Sequence, residues 1–361
     1  MRLVPLAVPM PGDAAVPARR SNGLVLPLAI SALVLLAAAS LSLMVGKAPL
    51  PASLPWQLLA SKLGFASNAA WPASAETILL DIRFPRIALA GLVGAALSIA
   101  GATYQGVFRN DLADPYVLGV ASGAGLGAVV AFVLPLPQGA YRVGVVQLLA
   151  FVGALAAVAA VYAASTSGRG APIATLLLAG VAVGAALNAA AAYLMYANGD
   201  QLLVIYSWFL GGFNIAGWRE VALIAPAVAV SAVAMTLGGR TLNVLQFGDE
   251  QASTLGIRVA RARLLLVVAA TLAAAVAVSV AGLIGFVGLV VPHAARLLVS
   301  ADHRRLLPVS ALLGAAFLIA ADALARGVPG PVEVPVGVVT AAIGGPFFLL
   351  LLRREKRRWA W

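Results

Sequence analysis

The residues able to do chemistry are few, and they stand far apart in the chain. Thirteen carboxylates, two histidines and no cysteine accompany 24 Lys and Arg in 361 residues. Without cysteine there is no disulfide, no thiolate metal site and no cysteine nucleophile. His293 and His303 do not have the H-E-x-x-H spacing of a metalloprotease site, and His293, directly after Pro292, reads as a helix-end residue. No G-x-x-x-x-G-K-S/T run occurs, so the chain carries no phosphate loop and is not itself an ATPase. Asp322 is the one carboxylate well inside an apolar run, where a proton- or sodium-coupled carrier would use such a group. Arg326 follows it by one helical turn, so the pair is expected to be a structural i,i+4 ion pair near the outer end of its helix. No catalytic residue, metal ligand or resident cofactor is expected.

The elements that hold these residues are set by solvent. Hydrophobic residues make up 62% of the chain and charged residues 10%, with a mean hydropathy of +1.00. A soluble domain is about one quarter charged, so lipid is the solvent of this chain. The expectation is an all-α membrane protein. Apolar windows of spanning length fall at 24–46, 86–107, 115–135, 143–164, 172–197, 219–237, 262–282, 285–299, 306–325 and 335–352, about ten transmembrane helices. The first window is too long for a signal-peptide core and has no small-residue cleavage site. The domain reading is therefore a cytoplasmic tail at 1–23, one transmembrane domain at 24–352 and a basic tail at 353–361.

The net charge of +11 does not point to nucleic acid, because the arginines sit at the ends of apolar runs with no basic face. Ten spans put both termini on one side. The alternate loops on that side hold 17 of the 24 Lys and Arg, which makes it the cytoplasm. The opposite side holds Lys47, Lys62, Arg83, Arg86, Arg142, Arg219 and Arg326. Asp114-Pro115 reads as an N-cap and first-turn proline opening the third span. Gly91, Gly94, Ala95, Ser98, Gly101 and Ala102 form a small-residue face for close helix packing.

The cytoplasmic loop at 238–263 is patterned rather than linker-like. After Gly248 and Asp249, residues Glu250, Gln251, Ala252, Ser253, Thr254 and Leu255 read as a polar helical turn or two that Gly256 stops, with Leu255 and Ile257 on the inner face. Two readings stay open from the residues: a docking element for a soluble partner, or a helix held on lipid headgroups by Arg258, Arg261 and Arg263. On the opposite side, Arg83 and Arg86 at the mouth of the second span are either interfacial snorkellers or docking cations.

The runs RFPRIALAGLVGAALSIAGATYQGVFRNDLADPYVLGVASGAG, GDEQASTLGIRVARAR, GLIGFVGLVVPHAARLLVSADHRRLLPVSALLGAAFLIAADALAR and EVPVGVVTAAIGGPFFLLLLRR resemble the permease subunits of binding-protein-dependent ABC importers for iron siderophores, haem and vitamin B12. The likeness spans about residues 75–355. One local departure is Asp111, which stands where the usual Arg-Asn-Pro-Leu-Ala pattern has proline. The resemblance implies a type II importer permease in the bacterial inner membrane, working as a homodimer by alternating access. It implies two copies of a separate ATPase, which would use ATP and Mg, and a periplasmic substrate-binding protein. Residues 248–256 would belong to the helices that couple to the ATPase. Arg83, Arg86 and Arg326 would meet acidic groups of the binding protein. Asn188, Tyr193, Met195 and Tyr196, with the segment 198–217, would line or gate the path. Haem is the expected cargo, from the texture of the DHRRLLP and GGPFF stretches, with ferric siderophore and then cobalamin as alternatives.

Overall fold

The computed structural model describes residues 23–359, apart from 49, 52, 63, 66–70, 136–138, 167–171 and 331. Almost all of the expected N-terminal tail, and the last two residues of the basic tail, lie outside the described residues. Fifteen α-helices follow in order. They are α1 Val25–Met44, α2 Leu54–Lys62, α3 Ala73–Thr77, α4 Phe84–Phe108, α5 Val120–Val133, α6 Ala140–Ser165, α7 Ile173–Ala197 and α8 Leu202–Phe209. Then come α9 Trp218–Leu237, α10 Gly239–Leu245, α11 Asp249–Thr254, α12 Val259–Ala281, α13 Val287–Val299, α14 His303–Gly327 and α15 Val336–Trp359.

Seven helical stretches are long and apolar enough to cross a membrane, and α5, α13 and the first part of α15 are shorter apolar helices. Together they occupy the ten expected windows. The eighth window, following a Gly-rich turn, is the 13-residue α13. The third starts later than expected. Asp114 accepts from the Tyr116 amide at 2.8 Å, but it caps a 3-10 turn at Pro115–Leu118, and α5 begins only after Gly119 at φ 87°. Proline at the first position suits either helix type, so the local signal was right about a start and wrong about its kind.

Helices α4, α12 and α14 form the buried centre, with α1, α7 and α9 largely exposed around it. Between apolar helices in lipid there is little hydrophobic drive, so close backbone approach supplies the contact. The small-residue face of α4 does this. A Cβ at Gly94 would lie 2.2 Å from the Gly314 carbonyl of α14, and one at Gly101 would lie 2.0 Å from the Gly288 carbonyl of α13. Helices α5 and α6 repeat the device at Gly123 and Gly153.

Candidate functional site

On the cytoplasmic side, α10 and α11 form a compact knot fastened by polar side chains. Asn243 donates to Asp302 Oδ1 at 2.7 Å and accepts from the His303 amide at 2.9 Å, with His303 Nδ1 also 2.9 Å away. Because the Asn243 amide nitrogen points at Asp302, its oxygen is the acceptor and Nδ1 of His303 carries the proton. Gln246 donates to the Gly106 carbonyl at 2.8 Å. These bonds tie α10 to the ends of α14 and α4.

Helix α11 is rooted by Asp249. Arg263 Nη2 donates to both of its carboxylate oxygens at 2.9 Å, and Arg109 Nη2 reaches Oδ1 at 3.3 Å. Gly248 at φ 107° lets the chain turn into α11, and Gly256 at φ 83° stops it, as expected. The inward residue of this short helix is Ala252, fully buried, while Glu250, Gln251, Ser253 and Thr254 face out. Leu255 does not take the expected inner position: it is 66% exposed. Helix α11 ends at Thr254, so Leu255 follows the turn outward, and only an alanine fits against the protein beneath. With exposed Phe247, Leu255 frames a polar helix between two apolar knobs.

Asp111, the departure from the usual pattern, forms an ion pair with Arg296 at 3.1 Å. It joins the loop after α4 to the last turn of α13. The turn itself is closed by Asn110, whose side chain accepts from the Leu112 amide at 2.9 Å.

At the outer end, the structure turns the expected docking arginines inward. Arg83 and Arg326 are 4% and 7% exposed. Arg83 donates to the carbonyls of Leu43 and Ala48. Arg326 donates to Asp322 Oδ2 at 2.9 Å, to Ser42 Oγ at 2.6 Å and to the Val45 carbonyl. Helix α1 has no basic residue in its last turn, and helix C-termini leave carbonyls unsatisfied. Arg83, the residue just before α4, and Arg326 of α14 therefore cap it. Arg86 bridges Asp322, at 3.0 Å from Nε, and Glu333, at 2.9 Å from Nη2. The Asp322–Arg326 pair is present as expected, and Arg86 is the third member the sequence did not disclose. Of these arginines, only Arg86 retains a partly open edge, beside half-buried Glu333.

The expected path residues stand on α7. Asn188, Tyr193 and Tyr196 are exposed, Tyr196 by 87%, and Met195 packs against a small cluster around Ile205 of α8. The chain by itself does not enclose them. A junction missed in the sequence follows α8, where the segment after that helix meets two helix ends through backbone. The Gly212 amide donates to the Ala281 carbonyl at 2.8 Å, and the Val336 amide donates to the Gly211 carbonyl at 3.1 Å. A Cβ at Gly282 would lie 2.2 Å from the Trp208 carbonyl, and one at Gly337 would lie 2.2 Å from the Leu210 carbonyl. Gly211 and Gly282, at φ 69° and 70°, were the available signal. Among the described residues, no group of three or more His, Cys, Asp or Glu is arranged to hold a metal. His293 packs edge-on against Phe347, ring centroids 5.9 Å apart.

A multi-helix membrane body with a fastened cytoplasmic helix knot suits a transport permease. The chain belongs to the FecCD transport family, which matches residues 33–354. It is thus a permease of the ABC importer class and a multi-pass inner-membrane protein. It is 47% identical over 305 residues to the cobalamin import system permease BtuC of Halobacterium salinarum, covering 84% of this chain and 81% of that one. It is 43% identical over 288 residues to the hemin transport system permease HmuU of Yersinia pestis, covering 78% and 84%. Among solved structures, a metal-chelate type ABC transporter in an inward-facing conformation matches with a TM-score of 0.79 and 27% identity, over 91% of this chain and 98% of that one.

Proposed function

We propose that two copies of this chain form the translocation path of an importer that moves a metal chelate from the periplasm to the cytoplasm. A separate ATPase would dock beneath, and a periplasmic binding protein would deliver the cargo. The observation that carries this reading is α11: a polar helix framed by exposed Leu255 and Phe247, and rooted through Asp249 to Arg263 at the base of α12. Such an element passes a push from below into a buried helix as a rigid-body shift. The exposed face of α7 supports pairing of two copies around Asn188, Tyr193 and Tyr196, and the junction of α8, α12 and α15 is suited to gate the path between them. With Arg83 and Arg326 enclosed, docking of an acidic partner would engage the Arg86–Glu333 edge.

Haem is the first reading of the cargo. Cobalamin import is the second, favoured by the 47% identity to a permease of that name. Ferric siderophore is the third, by the same mechanism. Proteoliposomes holding the full complex decide among them through ATP-dependent uptake of each. Uptake by this chain alone, without ATPase or ATP, would overturn the importer reading in favour of an ion-coupled carrier. Unchanged affinity for the binding protein after Arg86→Glu, alone or with Arg83→Glu, would rule out docking at that edge.

A further inference from the structure

We propose that the cytoplasmic end of α12 holds a phosphate-bearing anion, supplied as the headgroup of an anionic phospholipid of the inner leaflet. An open cleft of about 650 Å³ lies between the end of α6, the start of α7, α11 and the first turn of α12. Tyr162, Pro172, Asp249, Arg258, Arg261 and Arg263 are among its walls. Three guanidinium groups thus face one carboxylate. That carboxylate is engaged by Arg263 and Arg109, which leaves the cleft cationic around Arg258 and Arg261.

The local backbone adds to this charge. Helix α12 runs 23 residues, has no acidic residue in its first turn and receives no side-chain cap from Arg258. The positive end of a helix dipole with unfilled amides repels arginine and attracts an anion. Three arginines crowded there are an unfavourable arrangement until an anion enters. Phosphate oxygens match both the guanidinium fork and the helix amides, and Tyr162 lines the same wall.

The membrane side of the cleft favours lipid as the source. Arg261, Leu265 and Val268 lie at i, i+4 and i+7, on one face of α12, and both apolar residues are exposed. A headgroup at Arg261 therefore continues into an acyl chain along Leu265 and Val268. Basic pockets between spans at the cytoplasmic surface are suited to such headgroups. The cleft uses the Asp249 and Ser253 side of α11, leaving Glu250, Gln251 and Thr254 on the face open to a soluble partner. The inference does not depend on the importer reading, since binding is measured without transport.

The test is native mass spectrometry of the full chain with dioleoyl phosphatidylglycerol. Wild type is compared with Arg258→Gln/Arg261→Gln, and with Arg240→Gln, an exposed cytoplasmic arginine on α10 outside the cleft. The double variant should bind the lipid about thirtyfold more weakly, at about 1 kcal/mol for each of the two basic residues near the surface. Arg240→Gln should leave binding within about twofold of wild type, as for an uninvolved surface site. Both variants replace exposed residues, and an unchanged thermal midpoint will show that they fold. Equal retention by wild type and the double variant would overturn the site. Displacement of the lipid by millimolar inorganic phosphate would keep the anion chemistry and overturn lipid as its source.

Discussion

Asp249 receives Arg263 Nη2 on both carboxylate oxygens at 2.9 Å across 14 positions of sequence, and the same Oδ1 receives Arg109 at 3.3 Å. One half-exposed carboxylate thus joins three elements: α11, the base of α12 and the turn after α4. Arg263 is nearly enclosed, and enclosed charges are costly without a partner. The Asp249–Arg263 bond is therefore the stronger of the two, and the more exposed Arg109 bond the weaker.

From this, Asp249→Asn is expected to lower stability by about 1–2 kcal/mol, and Arg109→Gln by less than about 1 kcal/mol, because exposed pairs contribute little. Thermal unfolding in detergent measures both. In the assembled importer, Asp249→Asn should also reduce cargo moved per ATP hydrolysed, since α11 would shift without carrying α12. Equal loss of stability in the two variants would contradict this ranking.

The ten helices were legible in the sequence because each is an apolar run bounded by charge, glycine or proline. So was the small-residue face of α4, whose spacing repeats along one helix. The Asp322–Arg326 pair was legible from its spacing, but the carbonyl partners of Arg83 and Arg326 at the end of α1, and the pairing of Arg86 with Asp322 and Glu333, were not. The arginines' positions at helix mouths suit a guanidinium facing outward as well as one folded back onto the carbonyls ending α1, and the choice depends on where α1 lies beside α4 and α14. Leu255 misled for a related reason: in a helix this short, one residue past the last helical turn decides between inside and outside. The Asn243, Asp302 and His303 knot joins positions 60 apart, with no periodicity to reveal it.

Asp322 is fully buried between Arg86 and Arg326. Asp322→Asn should destabilise the chain by about 3–5 kcal/mol, because it leaves two guanidinium groups facing a neutral amide in a poorly solvated place. Arg326→Lys should also be costly: one ammonium cannot replace a planar group that reaches Asp322, Ser42 and Val45 together. The yield of monodisperse protein and its thermal midpoint are the measurements, and near-wild-type values for Asp322→Asn would contradict the role.

Close backbone packing makes a separate forecast. Gly101→Ala places a methyl group 2.0 Å from the Gly288 carbonyl, whereas Gly144→Ala on α6 meets nothing nearer than 3.9 Å. Overpacking costs about 1–3 kcal/mol or more, while replacing an unconstrained helical glycine gains up to about 1 kcal/mol. Gly101→Ala should therefore melt earlier than wild type and Gly144→Ala at or above it.

Asp302 makes the stability of the cytoplasmic knot depend on pH. Burial pushes its carboxyl up, but the hydrogen bond from Asn243, the Arg304 amide and the charges of Arg304 and Arg305 together hold it below its ordinary value. A depressed carboxylate contributes stability that is fully present above its unfolded value of about 3.9 and is lost as pH falls through the folded one. Wild type should therefore lose this contribution below about pH 4. Asp302→Asn can still accept from Arg304 and Asn243 through its amide oxygen, because both bonds end on Oδ1. It should be less stable than wild type at neutral pH, and the gap should close on acidification. Asp302→Ala removes the cap of α14 as well and should cost about 1 kcal/mol more at every pH. Thermal midpoints of the three proteins between pH 3 and 7 measure this, and a constant difference between wild type and Asp302→Asn across that range would show that the carboxylate charge does not stabilise the knot.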